Sequence, residues 1–377
     1  MKIGIFGGSF DPVHNEHIKI ALNATQALGL DILYVVPAKI PPHKQGVVLL
    51  DGLHRKKMLE LAFKNHPKIV VSDFELESVE TSYTYLTVEH FKSIHPGCEL
   101  YLLVGADMLE NFPTWKEPER ILQSARLFVT GRDGEDFDNA LNVFKKRFSK
   151  DNEIIVSKAQ GLKVSSTDVR HRLMLGLNVD GLLDKSTQDY IQKNGLYLGD
   201  ETAQFVKNNL TTKRLEHTVG VMNLAKTYAK RLGEDVNKAV KAAMLHDVAK
   251  YLDYKSYPDF SLPDGVVENV IHQYLGAFVA EKVLGITDED LLNAIRFHTT
   301  GRIGMSRLEM IILIADLLED GRDYDEAPIL REAVDKDFFE GFKLCVKRLI
   351  AYLLKSETPI YHLTLDCYNY YKNRENS

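Results

Sequence analysis

The sequence predicts two domains of different class. An α/β domain with a doubly wound parallel sheet is expected over residues 1–198, and an all-α domain over 200–377. Three observations carry this. Apolar runs recur through the first half with room for a helix between each pair, the βαβ rhythm. Such runs stop at about residue 202, beyond which apolar positions fall three and four apart. Between the two, NGLYLGDETAQF (194–205) changes the pattern without a long linker, so a short hinge near Gly199 is expected.

In the first half the strands are expected at Ile3–Phe6, then at DILYVVPA (31–38), KIVVSDF (68–74), ELYLLVG (99–105), RLFVTG (126–131) and NEIIVS (152–157). Near-continuous apolar runs suit parallel strands covered on both faces. Ligands of such sheets bind beyond the carboxyl ends of the strands, so the residues just after each strand carry the functional reading. The second half reads as helices broken at Gly233, Pro258, Gly265, Gly285 and Gly301.

At 377 residues, with 45% hydrophobic and 27% charged residues, the chain has the makeup of a soluble protein with a sizeable core. A net charge of −6 gives no basic footprint for nucleic acid. Cys98, Cys345 and Cys367 are odd in number and lack a CxxC spacing, which fits a reducing cytoplasm. The short apolar start breaks at Gly7, unlike a signal peptide, and no apolar run approaches the length of a membrane span. A cytoplasmic location without a membrane partner is expected. Homo-oligomerisation is compatible with these features and not fixed by them.

The first strand runs through Gly7 and Gly8 into GGSFDPVHNEH and an amphipathic helix. Glycines let a backbone approach an anion, and a helix start favours negative charge. His14 and His17 add side-chain donors at the same mouth. After the second strand, Pro41, Pro42, His43 and Lys44 make a stiff basic loop suited to phosphate. After the fourth strand, Gly105-Ala106-Asp107 opens a helix where a base and a ribose hydroxyl could be met. Trp115, the only tryptophan, lies between prolines in FPTWKEPE, as a packing plug or a ligand platform. In VSSTDVRHRLMLG (164–176), Ser166 or Thr167 is expected to cap a helix with Arg170 one turn on, a second phosphate grip.

These motifs resemble the nucleotidyltransferase superfamily, whose signature reads GSFDPxHxGH, and within it the nicotinate-nucleotide adenylyltransferases. The resemblance covers residues 1–198 and implies a Rossmann-like domain. It implies nucleotide contact through Gly8, Ser9, Phe10, His43, Gly105, Asp107, Ser166 and Thr167, binding of the mononucleotide by Thr84 and Tyr85, and stacking of its pyridine ring on Trp115. ATP, nicotinate mononucleotide and Mg²⁺ are the implied reactants and ion. His14, His17, Lys44 and Arg170 are the expected catalytic donors. Glu16 stands where the family has glycine and is expected to point away from the triphosphate. Val164 replaces an isoleucine. Pantetheine-phosphate adenylyl transfer is the alternative for this half.

In the second half, His217, His246, Asp247, His272, His298 and Asp316 each interrupt an apolar helical face. His246 and Asp247 are expected on one apolar helix. Buried groups of this kind are costly unless something pairs them, and a metal centre does so. The order H…HD…D, with RLEHTVGV, MLHDVAK, HTTGR and IADLLEDGR, resembles the HD-domain symmetrical diadenosine tetraphosphate hydrolases over about 200–377. The resemblance implies two divalent metal ions bound by those six residues, with Asp247 bridging, and a dinucleoside polyphosphate substrate. Imidazole and carboxylate ligands suit iron, manganese or zinc, with iron placed first. Gln273 stands where that family has glycine. Lys250, Arg214 and Arg302 lie beside the motifs, for phosphate binding or for ordinary salt bridges. The alternatives for this half are another nucleotide substrate or a metal-binding nucleotide sensor that regulates the first half.

Overall fold

The computed structural model describes residues 1–39, 49–78, 81–131, 137–148, 154–158 and 164–374. The chain divides into two compact units. One comprises Met1–Arg170 with Val179–Tyr197, and the other His171–Asn178 with Leu198–Ser377. Residues 171–178 fall in the second unit because Leu175 and Leu177 are buried in a cluster with Ala203, Val206 and Leu210.

The first unit holds six strands: β1 (Lys2–Gly8), β2 (Ile32–Pro37), β3 (Ile69–Val71), β4 (Glu99–Gly105), β5 (Arg126–Gly131) and β6 (Ile154–Lys158). All pairings are parallel, in the order β3-β2-β1-β4-β5-β6. The order reverses direction between β1 and β4, the switch point at which doubly wound sheets bind ligands. Ile5 pairs with Leu102 there, so Gly8 and Gly105 close the same end of neighbouring strands. The third strand is shorter than its apolar run because Phe74–Glu77 turns into a short helix after Asp73.

The second unit is helical. Its successive helices include Thr212–Leu232, Val236–Leu245, Ile271–Lys282, Glu289–Arg296, Arg307–Leu318 and Ala327–Lys336. Aspartates start several of them. Asp235 and Asp288 each accept backbone N–H bonds, and Ser306 with Glu309 forms a capping box. Thr212–Leu232 ends at Gly233, whose φ of 71° is left-handed and suits glycine. Among the described residues no helix is long and apolar enough to cross a membrane.

Candidate active site and metal centre

The first site is built on the loop between β1 and helix Asn15–Leu28. Side chains from two separate helices, Gly52–Phe63 and Ser166–Met174, hold its carbonyl groups. Arg55 Nη1 donates to Ser9 O (2.8 Å), Arg170 Nη1 to Asp11 O, and Ser166 Oγ to Pro12 O (2.9 Å). The Asp11 carboxylate accepts from Tyr197 OH at 2.6 Å. A loop anchored on its acceptors is fixed in shape before a ligand arrives.

Inside that frame, the His14 and His17 rings stack with centroids 3.7 Å apart. The edge of Phe10 meets His17 at 5.0 Å. The His14 backbone N–H donates to His17 Nδ1 (3.3 Å), so a neutral His17 ring carries its proton on Nε2 and presents it as a donor. Gly8 is required by the same packing, since a Cβ there would lie 2.9 Å from Phe10 Cζ. Phe10 is itself buried.

The other expected residues of this half fall as follows. Gly105 precedes helix Ala106–Asn111, of which Asp107 is the second residue. Thr84 begins helix Thr84–Ile94, and the Tyr85 ring lies under Arg120 at 4.6 Å. Trp115 is half-buried against Phe112, ring centroids 5.1 Å apart. His43 and Lys44 lie outside the described residues.

One expectation needs correction. Helix Ser166–Met174 is capped by Ser165, whose Oγ accepts from Asp168 N (3.1 Å). Ser166 and Thr167 lie within the first turn: the Ser166 hydroxyl goes to Pro12, and Thr167 Oγ1 accepts from Arg170 Nη2 at 3.3 Å. Arg170 thereby braces the loop, beyond the phosphate contact expected of it. Glu16 is buried.

The second site gathers side chains from five segments of the helical unit. His217 comes from helix Thr212–Leu232, His272 from Ile271–Lys282 and Asp316 from Arg307–Leu318. His246 and Asp247 do not lie on a helix as expected. Helix Val236–Leu245 ends just before them, as Glu289–Arg296 ends before His298. The reason is local. The last carbonyls of a helix lack intrahelical donors. His246 Nδ1–H donates to Ala243 O (2.6 Å), and His298 Nδ1–H to Ile295 O (2.8 Å). Each ring thus satisfies a helix end and turns the lone pair of Nε2 to the centre.

Around that centre, His217 Nε2 lies 3.0 Å from Asp316 Oδ1 and 3.3 Å from His246 Nε2. The two oxygens of Asp247 face opposite ways. Oδ2 is 3.5 Å from His246 Nε2, while Oδ1 is 3.3 Å from His272 Nε2 and 3.6 Å from His298 Nε2. His217, His246 and Asp316 form one possible ligand group, and His246, Asp247 and His298 another.

A divalent cation fits this donor set. Asp247 Oδ1 is buried without a hydrogen-bond partner although nitrogen atoms surround it. Such an atom is costly unless a cation meets it. Burial alone would raise the Asp247 carboxyl, but His246 and His298 outweigh it and hold the group well below the usual carboxylate range. Asp316 is lowered likewise by His217, against its burial. Burial, with His298 and Lys250, pushes the His272 imidazole well down, and burial lowers His246, so both favour the neutral, ligating form.

Several residues unmarked by the sequence reading support the site. Glu319 accepts from His217 Nδ1 at 3.0 Å, orienting that ring. A Cβ at Gly220 would lie 2.4 Å from Glu319 Oε2, so the glycine makes room for it. Arg322 donates to Asp316 Oδ1 at 2.6 Å. The signal was present in the spacing: Gly220 is one turn from His217, and Glu319 one turn from Asp316. Of the cations noted in the sequence, Arg214 reaches Asp247 Oδ2 (2.8 Å) and Lys250 reaches His272 Nε2 (3.1 Å). Arg302 is engaged by Glu309 at 2.6 Å, the ordinary salt-bridge role.

A parallel sheet with a clamped GSFDP loop, followed by a helical unit with a His/Asp centre, defines the class: a nucleotidyltransferase fold joined to an HD fold. Residues 5–172 match the cytidylyltransferase-like family, and residues 214–321 match the HD domain. A Mycoplasma pneumoniae protein named probable nicotinate-nucleotide adenylyltransferase/Ap4A hydrolase is 31% identical over 326 residues, covering 85% of this chain and 90% of its own length. A probable nicotinate-nucleotide adenylyltransferase of Clostridium tetani is 37% identical over 199 residues, 52% of this chain and 98% of that protein. A crystal structure from Clostridium acetobutylicum, described as a predicted HD superfamily hydrolase involved in NAD metabolism, is 35% identical. It covers 47% of this chain and 97% of its own, with a TM-score of 0.42. The chain belongs to the nicotinate-nucleotide adenylyltransferase/Ap4A hydrolase family.

Proposed function

We propose that the chain is a bifunctional enzyme. The first unit joins ATP and nicotinate mononucleotide into deamido-NAD, and the second hydrolyses diadenosine tetraphosphate to two ADP. The observation that carries the second activity is the convergence of three imidazoles, His246, His272 and His298, on the buried Asp247, with His217 and Asp316 beside His246. The first rests on the stacked histidine pair held at the switch point of the sheet.

In adenylyl transfer, a 5′-phosphate oxygen of the mononucleotide attacks the α-phosphorus of ATP. The bond from that phosphorus to the bridging oxygen breaks, and pyrophosphate leaves. A phosphate monoester is already anionic at neutral pH, so no general base is needed. The protein's work is positioning and charge stabilisation. Gly8, Ser9 and Phe10 shape the phosphate loop, His14 and His17 donate to the reacting phosphates, and Arg170 fixes the loop while adding positive charge. Lys44 and His43 are assigned to the same phosphates on the family motif. Gly105 and Asp107 receive the adenosine, Thr84 and Tyr85 the mononucleotide, and Trp115 its pyridine ring. Mg²⁺ is the assigned companion of the departing pyrophosphate.

In the second unit, His217, His246, His272, His298, Asp247 and Asp316 would hold two divalent cations, with iron the assigned metal. When bound, such a pair supplies Lewis acidity toward phosphate oxygens and acidifies water. The chain's own part is to keep His246 and His272 neutral, to set Asp247 between the two halves of the site, and to place Arg214 and Lys250 beside it. Water adds across the central phosphoanhydride, which gives two ADP.

Two incubations of the full chain test this reading. With nicotinate mononucleotide, ATP and Mg²⁺ the products are expected to be deamido-NAD and pyrophosphate. With diadenosine tetraphosphate and Fe²⁺ or Mn²⁺, ADP is expected alone. ATP plus AMP from the second incubation would overturn the symmetrical cut.

A further inference from the structure

Gln273 stands next to His272, is fully buried, and is not itself a candidate ligand. Its amide reaches across to the segment that follows His298. Gln273 Oε1 accepts from the Thr299 backbone N–H at 3.2 Å, and Gln273 Nε2 donates to Thr300 Oγ1 at 3.1 Å. The Thr299 N–H belongs to the peptide group joining His298 to Thr299, so the first bond fixes the backbone on which the His298 ring is mounted. Thr300 is buried as well, which leaves its hydroxyl dependent on a protein partner.

The two histidines linked in this way face one another. Their ring centroids are 5.2 Å apart, and Thr299 Oγ1 lies between the two Nε2 atoms at 3.1 and 3.0 Å. Both rings border Asp247 Oδ1, the buried oxygen without a hydrogen-bond partner. The other half of the site is braced separately: His217 by Glu319, and Asp316 by Arg322.

We infer that Gln273 is a positioning residue that locks His272 and His298 into one half-site and sets the affinity of that half-site for its cation. This rests on the metal-centre reading above. A glycine at 273 could make neither bond, so in this chain the His272–His298 spacing depends on the glutamine amide. Loss of a residue that orients a ligand commonly lowers metal affinity by about 10–100-fold.

The test is Mn²⁺ titration of the full metal-free chain against a fluorescent chelator. Wild type, Gln273→Ala, Thr300→Val and the double variant are compared, with thermal unfolding of each metal-free protein. Wild type is expected to take up two ions. Gln273→Ala keeps one ion at near-native affinity and binds the other about 10–100-fold more weakly, and Thr300→Val, which keeps the bond to the Thr299 N–H, weakens that same ion by less. The double variant is no worse than Gln273→Ala, since that change already removes the bond that Thr300→Val removes. Should Gln273→Ala fail to fold, Thr300→Val, which leaves the Thr299 N–H bond in place, still reads the Nε2–Thr300 bond as a smaller weakening of the same ion. Two ions at unchanged affinity in a folded single variant would overturn the proposal, as would equal weakening of both. A wild-type chain that takes up no Mn²⁺ would contradict the metal reading itself, and this proposal with it.

Discussion

His17 and Trp115 show what single residues contribute to the first site. The bond from the His14 N–H fixes His17 as an Nε2 donor. His17→Ala is therefore expected to cut adenylyl transfer by on the order of 10²–10³, the cost of losing one transition-state donor, while tetraphosphate hydrolysis is retained. Initial rates of both reactions check this. Trp115 rests on Phe112 and is only half-buried, so Trp115→Ala should raise the KM for nicotinate mononucleotide more than that for ATP. The stacking loss is about 1–3 kcal/mol, and equal effects on both substrates would favour a purely packing role. Residues with chemistry-bearing side chains at fixed offsets, such as His14, His17 and the six candidate metal ligands, stand out in the sequence. Arg55 does not. It sits in a basic helical stretch, GLHRKKM, where every cation resembles a solvated one, yet it is buried with its guanidinium on Ser9 O and Leu50 O. Glu319 was missed although it stands one turn from Asp316, because its partner His217 lies 102 residues away and only the fold shows the pair.

At the scale of elements, helix ends do most of the placing. The strands and the change from sheet to helices follow from apolar periodicity, which the sequence displays directly. Where a helix stops depends on which group satisfies its end, and so the turn carrying His246 and Asp247 and the Ser165 cap became clear only with the fold. The close approach between helix Thr212–Leu232 and the segment after Arg307–Leu318 gives a sharp prediction. Gly220→Ala places a methyl 2.4 Å from Glu319 Oε2, displacing the carboxylate that orients His217. Metal affinity should fall by about 10–100-fold, read by the same Mn²⁺ titration, and a native affinity would show that Glu319 has no such role. Gly8→Ala acts on the other unit by pressing on the buried Phe10 beside His17, and should lower adenylyl transfer without changing metal content.

For the whole molecule, the protonation states of the metal-free second unit make its stability depend on pH. His246 and His272 are both held below the ordinary 6.5, so an unfolded chain takes up protons there that the folded one refuses. Stability is then lost as pH falls below about 6.5. His217 is shifted up, where burial is outweighed by Asp316 and Glu319, and it works in the opposite sense. The His272 shift, well below the ordinary value, acts with that of His246 against His217 and predicts a net loss, read as a falling unfolding temperature of the second unit in chelator. The central claim is that one chain carries two chemically independent sites, one built on histidine donors and one on Asp247. Its most direct test is to measure both reactions in the wild type, His17→Ala and Asp247→Ala. Asp247→Ala should abolish hydrolysis and metal retention while leaving deamido-NAD synthesis near native, and His17→Ala should cut that synthesis by on the order of 10²–10³ while leaving hydrolysis and metal content near native. Hydrolysis that persists in Asp247→Ala, or both reactions lost to either single change in a folded protein, would contradict the account.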